Sequence, residues 1–197
     1  QRNTGAKSKQ MEKIRNRNIN KIYTVASIAM MSALTAVGAW ITIPYTIPFT
    51  MQTFAVFLTA VVIGGKKGTL SVLVYILCGA VGLPVFSAFR SGLGTLFGPT
   101  GGYITGFIFI TLLFWLFEKR LTKPLYEYMA GISGLIICYL FGTVQFVAVS
   151  ASAGNKMSFI GTLSVCVIPY IIPDLAKLTL AITLGRRIKK IINNKIN

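Results

Sequence analysis

The chain contains no histidine, which removes at once the commonest general base and the commonest metal ligand. Acid is almost as scarce: four carboxylate side chains stand against twenty lysines and arginines, and Asp174 is the single aspartate. Cysteine occurs only as Cys78, Cys138 and Cys166, each alone within an apolar run, so there is no CxxC pair and no disulfide framework. A phosphate loop is also missing, since Gly94 to Gly102 lacks the Lys-Ser/Thr ending. Any uphill work must therefore draw on a partner or an ion gradient. Metal chemistry, with no ligand cluster, is not expected.

What is present is apolar. The chain is 54% hydrophobic and only 12% charged, with a mean hydropathy of +0.69. A soluble domain carries about 25% charged residues, and a soluble core could not hide this much apolar surface. The runs are long and continuous, without the alternation of a barrel strand, so the expected class is an all-α integral membrane protein in a lipid bilayer.

Six apolar segments can be read, at about Ile22–Ile43, Thr50–Ile63, Thr69–Val81, Tyr103–Phe117, Tyr126–Ser150 and Ser158–Leu184, the last broken by Pro169 and Pro173. Several fall short of the ~20 residues that a straight span needs. Irregular backbone at membrane depth must then be covered by protein or line a cavity. The expected layout is a basic N-terminal segment 1–21, a six-helix membrane domain 22–186 and a basic tail 187–197. Within the first of these, the polar stretch Gln1–Gln10 fits an expression scar ahead of a native start at Met11.

The net charge of +16 would suggest nucleic acid in a soluble protein. Here the cations sit at the ends of apolar runs, so they are read as topology and no nucleic-acid partner is expected. With six spans, 17 of the 20 basic residues fall on the side of both termini, which is then the cytoplasm. Arg90 and Lys156 fall on the other side, and Lys177 lies within the membrane.

Asp174 and Lys177 stand three residues apart in the sixth segment, hence on one helix face. Charges in hydrocarbon persist facing a cavity, a partner or a ligand, although a purely structural ion pair is the alternative. Counting back from Arg186 at about 1.5 Å per residue puts Lys177 and Asp174 roughly 14 and 18 Å from the cytoplasmic edge, near the midplane. A pocket there would open outward. The outer stretch from Gly79 to Tyr103 is rich in Gly and Pro yet apolar and aromatic. It reads either as a loop on the lipid surface or as a re-entrant cap over a cavity. In the second case Phe86, Phe89 and Phe97 would wall the cavity and Arg90 would hold an anionic ligand group. Gln52 and Gln145 are polar groups in apolar runs, each expected to hydrogen-bond another helix, with Gln52 also a candidate for the pocket.

Two small-residue patterns remain. Gly131-Ile-Ser133-Gly134 matches the GxSG of intramembrane serine proteases, but with no histidine base it reads as helix packing. Ala29-Met-Met-Ser-Ala33 serves either packing within the protein or docking of another membrane protein.

Four stretches carry a family resemblance. Ile47-Pro-Phe-Thr-Met-Gln-Thr53, Tyr75 through Gly82-Leu-Pro-Val-Phe86, Gly98-Pro-Thr-Gly-Gly-Tyr103 with Gly106-Phe107, and Pro169 through Pro173-Asp174-Leu-Ala-Lys177 together resemble the BioY family. These are the biotin-specific S components of energy-coupling factor transporters. The likeness runs from Ile22 to the C-terminus, and the outer loop Ser87–Ser91 is where members differ most. It implies a six-helix bundle that binds biotin from outside, hydrolyses nothing itself and needs no cofactor. It further implies that Ala29 and Ala33 dock a transmembrane T component, which couples to two ATPases in the cell membrane. On that reading Asp174 accepts a ureido N–H, Lys177 meets the ureido oxygen or the carboxylate, and Arg90 meets the carboxylate at the mouth. Gln52, Tyr103 and Gln145 are further contacts. The rivals are an S component for another small vitamin and, from a different class, an intramembrane enzyme using Ser133 or the Asp174/Lys177 pair.

Overall fold

The computed structural model describes residues 2–45, 47–121, 123–154 and 158–196. Lys156, one of the cations expected on the outer side, lies outside the described residues. Each apolar run of the sequence becomes helix. α1 (Arg2–Trp40) carries the first run and continues without a break through the basic N-terminal segment. A two-residue hairpin, β1 (Thr42–Ile43) with β2 (Phe49–Thr50), leads into α2 (Gln52–Ile63) and α3 (Gly65–Ala80). The short α4 (Leu93–Leu96) precedes α5 (Gly101–Leu116), and α6 (Pro124–Ser152), α7 (Phe159–Cys166) and α8 (Ile168–Ile196) complete the chain. Among the described residues, three stretches are long and apolar enough to cross a membrane unaided: Met11–Trp40, Pro124–Ser152 and Ile168–Ile192.

α2 is the hub. It packs against α1, α3, α5 and α8, and every residue from Ala55 to Val62 is buried. A helix apolar on all sides belongs in a core. Its twelve residues span about 18 Å, less than a bilayer's hydrocarbon thickness, so protein rather than lipid covers its ends. Between α2 and α3 the chain turns at Gly64, whose φ of +86° suits only glycine. The space a side chain would need there is taken by the Glu118 carboxylate, 2.7 Å from an ideal Cβ.

α5 and α6 approach closely because small residues face the contact. A Cβ at Gly134 would stand 2.7 Å from Ile110 Cα, and one at Gly131 would strike the tip of Leu178. Gly131-Ile-Ser-Gly134 therefore sits at helix contacts, with Ser133 exposed between them.

The expected break of the sixth segment at its two prolines falls instead at Val167, between α7 and α8. Pro169 lies in the first turn of α8, where a missing N–H leaves nothing unpaired. Pro173 is carried inside the helix.

The segment 81–100, expected on the outer side and called the outer segment below, folds back onto the bundle. Phe86 is fully buried, its ring 5.6 Å from that of Tyr75 and pressed onto Gly79. Trp40 stacks on Phe89 at 5.2 Å and donates from Nε1 to the Pro84 carbonyl at 2.9 Å. Gln145 of α6 donates to the carbonyls of Leu96 and Gly98, at 2.7 and 2.9 Å. These contacts hold Ala88 and Phe89 in left-handed backbone, φ 55° and 56°, which costs about 1–2 kcal/mol per non-glycine residue.

Candidate binding site

Asp174 and Lys177 sit one helical turn apart on α8, 3% and 8% exposed. Their contact is direct: Lys177 Nζ lies 2.9 Å from Asp174 Oδ1. The ammonium also donates to the Thr50 carbonyl at 2.7 Å and to Thr53 Oγ1 at 3.2 Å, and it lies 4.0 Å from the centre of the Phe49 ring. An ammonium has three N–H donors, so all three are engaged. Asp174 Oδ1 takes a second bond, from Thr53 Oγ1 at 2.9 Å, while Oδ2 accepts from the Tyr139 phenol at 2.6 Å. A carboxylate offers about four lone-pair positions. Three are filled, and the remaining one is on Oδ2.

A second polar chain runs beside the pair. Gln52 Nε2 donates to Tyr75 Oη at 2.6 Å, Tyr75 donates to the Val85 carbonyl at 3.1 Å, and Thr50 Oγ1 donates to Gln52 Oε1 at 3.1 Å. The Tyr103 phenol pairs with Thr143 Oγ1 at 3.3 Å, and Tyr170 donates to the Ile47 carbonyl. The hairpin and the start of α2 are thereby fixed to α3 and α8, so the lip of the site is built from backbone that local sequence alone would leave loose.

Between these groups lies a cavity of about 580 Å³ including its mouth. Asp174, Lys177, Gln52, Thr53 and Tyr139 supply polar groups; Tyr103, Phe107, Tyr170, Ile47 and Ile104 supply apolar walls; Cys138 and Cys166 line it as well. Ser87 and Thr100 bring the outer segment to the same space. On the opposite side, toward Arg186, the way is filled. Leu178, Ala181 and Ile182 of α8 are at most 2% exposed and join one apolar cluster with Val56, Phe57, Ile110 and Phe114. The cavity is a pocket rather than a channel. Its charges sum to zero, and the open position on Asp174 is an acceptor, which suits a neutral ligand group that donates an N–H or O–H.

The BioY family model matches residues 8–194 of the chain. The chain belongs to the BioY family. A biotin transporter BioY from Thermotoga maritima is 40% identical over 165 residues, covering 82% of this chain and 93% of that protein. A probable biotin transporter BioY from Pyrococcus horikoshii is 36% identical, covering 86% and 98%. The crystal structure of an S-component for biotin from an ECF-type ABC transporter superposes with a TM-score of 0.77 at 23% identity, covering 88% of this chain and 94% of that one. That likeness establishes a shared fold.

In this BioY chain, four of the residues singled out in the sequence share the cavity: Asp174, Lys177, Gln52 and Tyr103. The others are placed differently. Phe86 is spent on the Tyr75–Gly79 socket, Gln145 fastens the outer segment, and Phe89 and Phe97 are 62% and 74% exposed. Arg90 is exposed on the outer segment, three residues beyond Ser87. Ala29 and Ala33 line a separate groove between α1 and α3, with Ser32, Trp40, Val74 and Leu83. Sequence reasoning missed Thr50, Thr53, Tyr139 and Tyr170. Thr50 and Thr53 flank Gln52 closely enough to have been included. Tyr139 carried only one signal, a phenol in an otherwise apolar run. No spacing links it to Asp174, 35 residues away.

Proposed function

We propose that this chain is the high-affinity biotin-binding membrane subunit, the S component, of an ECF-type vitamin importer. The observation that carries the reading is the open acceptor position on Asp174 Oδ2, inside a pocket with no net charge, in a chain of the BioY family. Biotin's head is a neutral ureido ring with two N–H donors, and its bicycle is apolar. One N–H can bond to Oδ2 in the stronger, charge-assisted class, while Tyr103, Phe107 and Tyr170 cover the bicycle. Lys177 has no donor to spare, so its role is to neutralise and hold Asp174. A bond from it to the ureido oxygen would require giving up Thr50 or Thr53. The valerate carboxylate then points toward the outer segment, where Arg90 is the cation at hand. The task of the pocket is binding rather than chemistry, as in the transporters the chain resembles.

Six membrane segments with both ends in the cytoplasm remain the layout that best explains the charge distribution, 17 of 20 cations on one side. The outer segment then faces the exterior and the Leu178–Ile182 plug faces inward, so ligand enters from outside. The Ala29–Ala33 groove is the proposed docking face for a transmembrane T component, with two ATPases supplying the energy, in a prokaryotic plasma membrane. Titration calorimetry of the detergent-purified, ligand-stripped protein with biotin tests the reading. One-to-one binding that Asp174→Asn weakens by tenfold or more supports it, and no heat from a folded, ligand-free sample overturns it.

A further inference from the structure

A second cavity lies at the other end of the bundle, remote from the ligand pocket. It has about 1050 Å³ of empty space including its open mouth and is bordered by the end of α2, the turn Glu118–Leu121, the first turn of α6 and the stretch Arg186–Lys190 of α8. Its lining joins three apolar residues, Ala60, Val61 and Leu121, to five charged ones. Arg186, Lys189 and Lys190 stand at i, i+3 and i+4 of α8 and therefore face it together. One of the two acids in its wall is paired within the protein. Glu127, 5% exposed, accepts from Arg186 Nε at 2.6 Å. Glu118 lies over Gly64 at the start of α3, where a carboxylate is stabilised by the helix N-terminus. Among the described residues, no ion pair engages the ammonium groups of Lys189 and Lys190. We propose that this cavity is a binding site for one anionic phospholipid, its phosphodiester held by Lys189 and Lys190 and its glycerol and acyl portion against Leu121.

The arrangement has the physical form of such a site. Two cations converge beside an apolar wall at the level where α8 leaves its apolar stretch, and a basic pocket between helices at that level suits a lipid headgroup. A soluble anion would use the lysines but leave the half-buried Leu121 uncovered. The depth in the membrane rests on the six-segment layout, whereas binding itself does not, and the test is independent of biotin.

The protein in neutral detergent would be titrated with phosphatidylglycerol, and one-lipid adducts would be read by native mass spectrometry. Parallel arms use phosphatidylcholine and inorganic phosphate. The expected result is a single phosphatidylglycerol adduct, at least tenfold weaker in Lys189→Gln/Lys190→Gln, with phosphatidylcholine binding weakly. Lys13→Gln/Arg17→Gln removes the same charge from exposed positions on α1 and should leave the adduct intact. Equal loss in both double variants would reduce the effect to net charge and overturn the site. Undiminished binding in Lys189→Gln/Lys190→Gln overturns it too, and inorganic phosphate binding as tightly as the lipid would assign the cavity to a free anion instead.

Discussion

Tyr139 on α6 donates its phenolic proton to Asp174 Oδ2 on α8 at 2.6 Å, while Lys177 and Thr53 occupy Oδ1. The carboxylate is thus oriented by three elements, and one of its acceptor positions, on Oδ2, is left open. Removing the phenol should therefore cost stability even without ligand. Tyr139→Phe is expected to lower the unfolding free energy of the ligand-free protein by about 1.5–3 kcal/mol, the range for a bond to a charged group. Denaturation in mixed micelles measures it, and an unchanged midpoint would mean the phenol is idle.

On the proposed reading, the ion pair should matter more for binding than for folding. Asp174→Asn alone leaves the Lys177 ammonium buried beside a neutral amide, and should cost about 2–5 kcal/mol of biotin affinity. The pair replacement Asp174→Leu/Lys177→Met should recover most of the lost stability, since a buried pair replaced by apolar groups is often neutral. It should not recover binding. Thermal unfolding and calorimetry on the same three proteins separate the two roles, and a double variant that still binds biotin tightly would remove the pair from the binding site.

Gly131 and Gly134 differ in what they face. Gly134→Ala drives a methyl toward the Ile110 backbone, which cannot yield, whereas Gly131→Ala meets only the flexible end of Leu178. Gly134→Ala should destabilise by about 1–3 kcal/mol and Gly131→Ala by less. Ser133→Ala, at an exposed position between them, should be silent in both stability and binding. The ranking is read from unfolding midpoints.

Gln145→Leu removes the donor that ties the outer segment to α6 and leaves the Leu96 and Gly98 carbonyls without it. The expected consequence is faster biotin release and faster proteolytic cleavage within residues 81–100, with the rest of the bundle intact. Dissociation kinetics of labelled biotin would show it, and a wild-type off-rate would detach the segment from gating.

Ala29→Leu/Ala33→Leu fills the groove between α1 and α3 without touching the ligand pocket. Biotin affinity should stay within threefold of wild type while association with a T component is lost. Co-purification with the partner tests this, and an intact complex would move the docking face elsewhere.

The sequence by itself determined that the chain belongs in a membrane, because its apolar fraction has no other place to go. It determined that the apolar runs are helical, since continuous apolar stretches permit little else, though not where α1 begins or where the sixth segment breaks, and it singled out Asp174 and Lys177, because charge in such a stretch is costly and therefore conspicuous. Tertiary structure decided the rest. Phe86, Phe89 and Phe97 looked equivalent in one loop, yet one is buried against Tyr75, one stacks on Trp40 and one is exposed. Hydrophobicity says that a ring prefers an apolar place without saying which of several it will find. Tyr139 and Thr53 reached Asp174 only because α2, α6 and α8 converge there. Such a contact depends on how whole helices pack across long separations, and no local pattern in the chain encodes it.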